Sequence, residues 1–209
     1  MIPKVIHYCW FGGNPLPKSA QKCIASWRKY LPDYEIKEWN ESNFDVNIIP
    51  YTAEAYKAKK YAFVSDYARF WILYKYGGLY FDTDVEVIKN MDDIIAKGPF
   101  MGCENEAKAG ATPAQLGVAP GLGLYGEILD IYKDKHYILP DGTYSFETIV
   151  DTTKILCTKG LMNSTCIQYI DEVYVYPKDY FCPIDNKTSI CHITPNTRTI
   201  HHYSATWLP

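Results

Sequence analysis

No two of the seven cysteines are spaced Cys-x-x-Cys, and their number is odd. That excludes a zinc ribbon and a thioredoxin-type pair and argues against a disulfide framework, so reduced thiols are expected. Nowhere do 18 apolar residues run together, so no transmembrane helix is expected. Basic charge is scarce: 21 Lys and Arg against 24 Asp and Glu leave a net charge of −3. The sequence-independent attraction to nucleic acid that a basic face would give is therefore missing, and no nucleic-acid partner is expected. The opening MIPKVIHYCWFGG has no charged head ahead of a long apolar core. No signal peptide is expected there, and a cytoplasmic protein is the expectation. Repeats, low-complexity segments and linkers are lacking too, which at this length points to one domain over residues 1–209.

Aromatic residues, by contrast, are plentiful, with 19 Tyr and 5 Trp. Their flat apolar faces and polar tips suit stacking on sugars or bases, and suit core packing equally well.

Val5 to Trp10 reads as a buried strand, broken by Gly12-Gly13-Asn14-Pro15. Ala20, Cys23, Ile24, Trp27 and Leu31 recur at helical spacing and predict a helix over 17–31, stopped by Pro32. Residues 34–39 alternate as a second strand, and a short helix over 52–59 follows. The next helix places Ala62, Asp66, Arg69 and Leu73 on one stripe, and Gly77-Gly78 ends it. Leu79 to Val87 alternates and is expected to be a single strand with Tyr80, Asp82, Asp84 and Glu86 on one face. Residues 104–123, rich in Gly, Ala and Pro, are expected to form a loop. Helices over 125–133 and 146–159 and short strands over 173–176 and 190–193 complete the reading. Strands alternating with helices in the first half predict an α/β sheet with helical flanks.

Asp66, Arg69, Asp82 and Asp84 stand in an otherwise largely apolar stretch. Burying charge costs several kcal/mol unless it is paired or bound, so this stretch is expected to build a site. Two carboxylates at Asp-x-Asp spacing attract a hard divalent cation, which takes oxygen ligands and often shares substrate phosphates. Asp66 and Arg69, at i and i+3, either form an ion pair along the helix or act together as a polar clamp for hydroxyl groups. Trp10 before Phe11-Gly12-Gly13 is either a core tryptophan or a platform for a planar ligand. The tail, His201 to Trp207, is either a docked strand or a flap that closes over a ligand.

Three segments together resemble the DXD-containing glycosyltransferases of family 32: Ile6 to Gly13, Ser65 to Asp84 with Tyr76-Gly77-Gly78 in its midst, and Ile200 to Trp207. The resemblance implies a glycosyltransferase-A fold, a Rossmann-like mixed sheet with flanking helices. It also implies a UDP-sugar donor, Mn2+ or Mg2+, and transfer of a hexose with retention to a glycan or lipid-linked glycan in surface polysaccharide synthesis. Peripheral association with the inner face of the cytoplasmic membrane would follow. Under the same resemblance Trp10 stacks on the nucleobase, while Asp66 and Arg69 hold the donor hexose. Asp82 lies near ribose and metal, and Asp84 is the direct metal ligand. Asp66, Arg69 and Asp84 are thus the expected catalytic residues. Tyr80 and Asn43 match weaker nucleotide contacts, and Thr206 with Trp207 matches a flap reaching the diphosphate. His202 is the expected tail ligand to the metal, with His201 the alternative. Thr206 stands where serine is usual, and residues 115–123 lack an asparagine often found near the donor sugar. A haloacid-dehalogenase-like phosphatase is the runner-up, since Leu79 to Asp84 is similar to its hydrophobic-strand motif. Glu86 departs from that motif, and the motif would normally open the domain. A non-catalytic nucleotide-sugar-binding module is a third reading.

Overall fold

A computed structural model describes residues 1–105, 110–145, 148–185 and 188–204. The chain opens with strand β1 (Val5–Cys9), helix α1 (Lys18–Tyr30) and strand β2 (Glu35–Trp39). Helices α2 (Pro50–Lys57) and α3 (Tyr61–Tyr76) lead into β3 (Gly78–Phe81) and β4 (Val85–Val87). Then come α4 (Asp92–Ile95), β5 (Phe100–Asn105), β6 (Gly110–Val118), α5 (Gly123–Tyr132) and α6 (Thr148–Thr158). The end of the described chain holds β7 (Gln168–Ile170), β8 (Val173–Tyr176), α7 (Lys178–Phe181) and β9 (Thr199–His201).

Among the described residues, seven strands form one mixed sheet in the order β2-β1-β3-β6-β5-β8-β7, and β4 pairs with β9 in a second, two-stranded sheet. β1 lies parallel to both β2 and β3, and β3 is antiparallel to β6. Helices cover both faces. Phe70, Leu73, Tyr125, Ile128 and Leu156 from α3, α5 and α6 bury one side against Tyr80, Leu116 and Val118. Ile24 and Trp27 from α1 and Phe181 from α7 bury the other against Ile6, Leu79, Phe81 and Phe100. β3 is therefore buried at every position, its alternate side chains entering opposite layers, as expected of a strand covered on both faces.

The passage from α3 into β3 depends on Gly77 and Gly78, at φ +66° and +101°. A Cβ on Gly77 would come within 2.6 Å of Pro120, and one on Gly78 within 2.7 Å of the Val5 carbonyl. Glycine alone supplies both the backbone conformation and the clearance.

Three expectations need correction. Leu79 to Val87 is not one strand: it breaks at Asp82-Thr83-Asp84, where the Val85 amide donates to the Asp82 carbonyl (3.0 Å) and turns β4 into the second sheet. Residues 104–123 are not simply a loop, for β6 occupies the middle of the main sheet. Its glycines misled the reading, because Gly117 is where the Phe100 ring lies so close that no Cβ would fit. Residues 190–193 form no strand, only the bridge between Ile184 and Cys191. The tail's strand lies later, at β9, held by pairing to β4. Of the helix expected over 146–159, residues 146 and 147 lie outside the described residues. Among the described residues no helix is long and apolar enough to cross a membrane.

His7 illustrates how the fold uses a buried polar group. Its Nε2–H donates to the Gly77 carbonyl (3.0 Å), and its Nδ1 accepts from the Trp39 indole N–H (3.0 Å), which fixes the neutral tautomer. Burial pushes its pKa down from 6.5 to about 4. The unfolded chain therefore takes up a proton between those values that the folded chain refuses. Stability is full above pH 6.5 and is lost as pH falls toward 4, by roughly 3 kcal/mol at 1.36 kcal/mol per unit. Urea unfolding across that range should show a shallower pH dependence in His7→Gln than in the wild type. An equal slope in both would place its origin elsewhere.

Candidate active site

β1 is flanked by parallel neighbours on both sides, so the chain leaves it toward β2 in one direction and reaches β3 in the other. The carboxyl ends of β1 and β3 thus border a topological switch point, where open α/β sheets leave a crevice for ligands. Trp10 follows the last residue of β1 and Asp82 follows the last residue of β3.

The turn at Asp82-Thr83-Asp84 brings its two carboxylates together with an imidazole. One ligand atom each from Asp82, Asp84 and His201 lies within 4.8 Å of the others. His201 Nε2 is 3.3 Å from Asp84 Oδ1, and the Ser204 amide donates to Asp84 Oδ2 (2.8 Å). Burial pushes the Asp84 carboxyl up, but the His201 hydrogen bond and charge, with the Ser204 amide, hold it below the usual carboxylate range. Burial raises Asp82, opposed by Arg69 and reinforced by the Asp84 charge. Two carboxylates that repel one another beside an imidazole make an oxygen-rich donor set suited to Mg2+ or Mn2+.

Arg69 ties α3 to this turn. Its guanidinium lies 2.7 Å from Asp66 Oδ1 and 3.5 Å from Asp82 Oδ1, and its Nε donates to the Ser65 carbonyl (3.1 Å). It also sits 5.2 Å above the Tyr80 ring, whose hydroxyl donates to Asp82 Oδ1 (3.1 Å). The Arg69 side chain is only 6% exposed. Burial works against its charge, yet Asp82 and then Asp66 more than compensate and keep it protonated. The helix stripe and the acidic turn are thus one charge network.

The other expected residues divide. Trp10 stands at the crevice edge, partly buried, with its indole N–H donating to the Asn14 carbonyl (2.6 Å). Asn43 is engaged in the turn after β2: its Oδ1 accepts from the Asn40 amide and its Nδ2 donates to the Glu38 carbonyl, both at 2.9 Å. Thr206 and Trp207, with the rest of the expected flap, lie outside the described residues. The histidine that the structure brings to the two carboxylates is His201, where His202 was expected. His202 Nε2 instead meets Glu86 Oε2 at 2.9 Å. β9 pairs with β4, His201 opposite Val85, and neighbouring residues along a strand point to opposite sides. Only one of the two histidines can face the acidic turn. Sequence spacing alone gave no sign of which.

A family model described as the glycosyltransferase sugar-binding region containing the DXD motif matches residues 17–101, which include Asp66, Arg69, Asp82 and Asp84. Residues 17–101 are thus similar to the sugar-binding region of DXD-containing glycosyltransferases. The chain is 33% identical over 98 residues to inositol phosphoceramide mannosyltransferase 3 of Schizosaccharomyces pombe, covering 45% of this chain and 27% of that protein. It is 34% identical over 106 residues to an uncharacterized glycosyltransferase of Acanthamoeba polyphaga mimivirus, covering 48% of this chain and 42% of the other. The chain thus spans less than half the length of these curated relatives. Among solved structures, the PaToxG glycosyltransferase aligns with a TM-score of 0.51 at 20% identity, over 62% of this chain and 58% of that one. The fold is the α/β, glycosyltransferase-A type expected from the sequence. Trp10 and His201 lie outside the family match, so their places rest on the geometry.

Proposed function

We propose that these 209 residues act as one catalytic unit that transfers a hexose from a nucleotide sugar, with retention, to a glycan or lipid-linked glycan. The observation that carries this reading is the meeting of Asp82, Asp84 and His201 at the switch point, beside the Arg69–Asp66 pair. A divalent cation held by those three residues, Mn2+ or Mg2+, would neutralise the charge that develops on the leaving diphosphate. Asp66 would accept hydrogen bonds from the donor hexose, while Arg69 fixes the Asp66 and Asp82 carboxylates in place. Trp10 would stack on the base at the far lip of the crevice. Surface polysaccharide is the acceptor class we favour.

The donor follows from a screen of nucleotide sugars for release of the nucleoside diphosphate, with and without chelator. UDP-glucose, UDP-galactose and their N-acetyl forms belong in it. GDP-mannose joins them because the S. pombe relative is named for mannosyl transfer. Slow release from one donor, abolished by chelator and restored by Mn2+, is expected. Binding without any turnover would instead favour a nucleotide-sugar-binding module, and phosphate release from a monoester would favour the phosphatase.

Trp10→Ala should weaken binding of the matching nucleoside diphosphate more than it slows turnover at saturating donor. Loss of a base–aromatic stack is worth about 1–3 kcal/mol, or roughly ten- to a hundredfold in affinity. Unchanged calorimetric affinity would make Trp10 a core residue only.

A further inference from the structure

The ring of Trp10 is held by the loop that follows it. Its indole N–H donates to the Asn14 carbonyl (2.6 Å). That carbonyl comes back to the indole because Gly12 and Gly13 turn the chain, at φ +95° and +69°. Two successive glycines are the least restrained pair a loop can contain, so this shape needs a hold from outside.

The hold comes from the turn after β2. Glu41 Oε1 accepts the Gly12 amide at 2.6 Å, a short bond to a carboxylate and stronger than one between neutral groups. Backbone pairing carries on past β1 and β2 only as far as the Trp10 amide, which donates to the Trp39 carbonyl (2.8 Å). Glu41 catches the chain two residues further on. The turn that presents it is braced: Asn40 Oδ1 accepts the Ser42 amide (2.9 Å) and hydroxyl (2.7 Å), and the Asn43 side chain bridges the Asn40 amide and the Glu38 carbonyl. Phe44 anchors its far end against Phe11, ring centroids 5.8 Å apart. From the other side Tyr61, the first residue of α3, lies so close to Gly12 that no Cβ would fit there. Gly12 is thus clasped between Glu41 and Tyr61. Glu41 itself is exposed, so burial does not force its carboxylate onto the amide.

We propose that Glu41 is a positioning residue for the nucleotide: by holding the Gly12 amide it keeps the loop over 10–14 folded, so that Trp10 is already presented at the crevice when a nucleoside diphosphate arrives. The inference rests on the reading of Trp10 as the platform for the base. Without the carboxylate, Gly12 and Gly13 sample other conformations, the Asn14 carbonyl leaves the indole, and binding must first re-form the loop. Apparent affinity falls with the fraction of molecules that hold the competent shape, so a loop folded about a tenth of the time costs about tenfold.

The test is calorimetric titration of UDP and of GDP, each with Mn2+, into the full chain, following whichever binds the wild type more tightly. Glu41→Ala should bind about tenfold more weakly. Glu41→Gln, which keeps the length and an acceptor oxygen, should bind close to wild type. A double-mutant cycle with Trp10→Ala tells positioning from a merely structural role: added to Trp10→Ala, Glu41→Ala should cost little more, because both act through one ring. The same loss in both backgrounds overturns the proposal. So does Glu41→Ala binding as tightly as wild type, or Glu41→Gln binding as weakly as Glu41→Ala. Should Glu41→Ala fail to fold, amide hydrogen exchange in the free wild type decides: the Gly12 amide should be protected, and fast exchange there overturns the proposal with no variant at all. If Trp10→Ala keeps wild-type affinity, or if the wild type binds neither nucleotide, the base-platform reading fails and the proposal with it. If Trp10→Ala loses affinity while Glu41→Ala does not, only the positioning role fails.

Discussion

Asp84→Ala is expected to lower metal-dependent turnover of the nucleotide sugar by hundreds of fold while leaving the far-ultraviolet circular dichroism of the folded chain intact. The carboxylate lies in the cluster with Asp82 and His201 and is held ionised by His201 and the Ser204 amide. A metal at a leaving oxygen contributes several kcal/mol to the transition state, and each 1.36 kcal/mol is tenfold in rate. The side chain sits in a turn and does not belong to either aromatic core layer, so its loss should spare the fold. Its departure also leaves the His201 imidazole short of its acceptor, so a small decrease in melting temperature accompanies the kinetic loss. Turnover by the wild type that ignores chelator would remove the metal role, and a variant with near-native rates would remove Asp84 from it.

Arg69→Met should be the most destabilising single substitution at the site. The guanidinium is the shared cation for Asp66 and Asp82, and both carboxylates are largely shielded, with side chains 17% and 25% exposed. Breaking a buried pair by removing one partner leaves uncompensated charge and typically costs about 3–5 kcal/mol. A large fall in the urea midpoint is expected, partly recovered when Asp66→Asn is added, because the two positions are coupled. An unchanged midpoint in Arg69→Met would mean that the network is solvated in solution and serves the ligand alone. Arg69→Lys separates charge from geometry: it keeps the cation but cannot hold the guanidinium's fixed fork between Asp66 and Asp82.

The parts of this architecture that a linear reading captures are those set by local pattern. Apolar spacing in α1 and α3, the Gly-Gly break and the alternation of β2 are all short-range signals, and each element lies where that spacing puts it. Asp82 and Asp84 could be singled out because ionised groups in an apolar stretch demand a reason. What escaped was set by partners distant in sequence. β6 looks like a loop until Phe100 is seen lying over Gly117. The expected strand through Val87 breaks because β4 finds its partner in β9, more than a hundred residues later. That same pairing decides between His201 and His202.

The central claim is that Asp82, Asp84 and His201 hold a divalent cation at the mouth of the switch-point crevice. Anomalous diffraction from crystals grown with Mn2+ and the nucleoside diphosphate of the accepted donor measures it most directly. The account predicts an anomalous peak enclosed by the carboxylate oxygens of Asp82 and Asp84 and by Nε2 of His201, with the diphosphate beside it. Bound nucleotide with no peak among those three residues, or a peak at His202 and Glu86 instead, would contradict it.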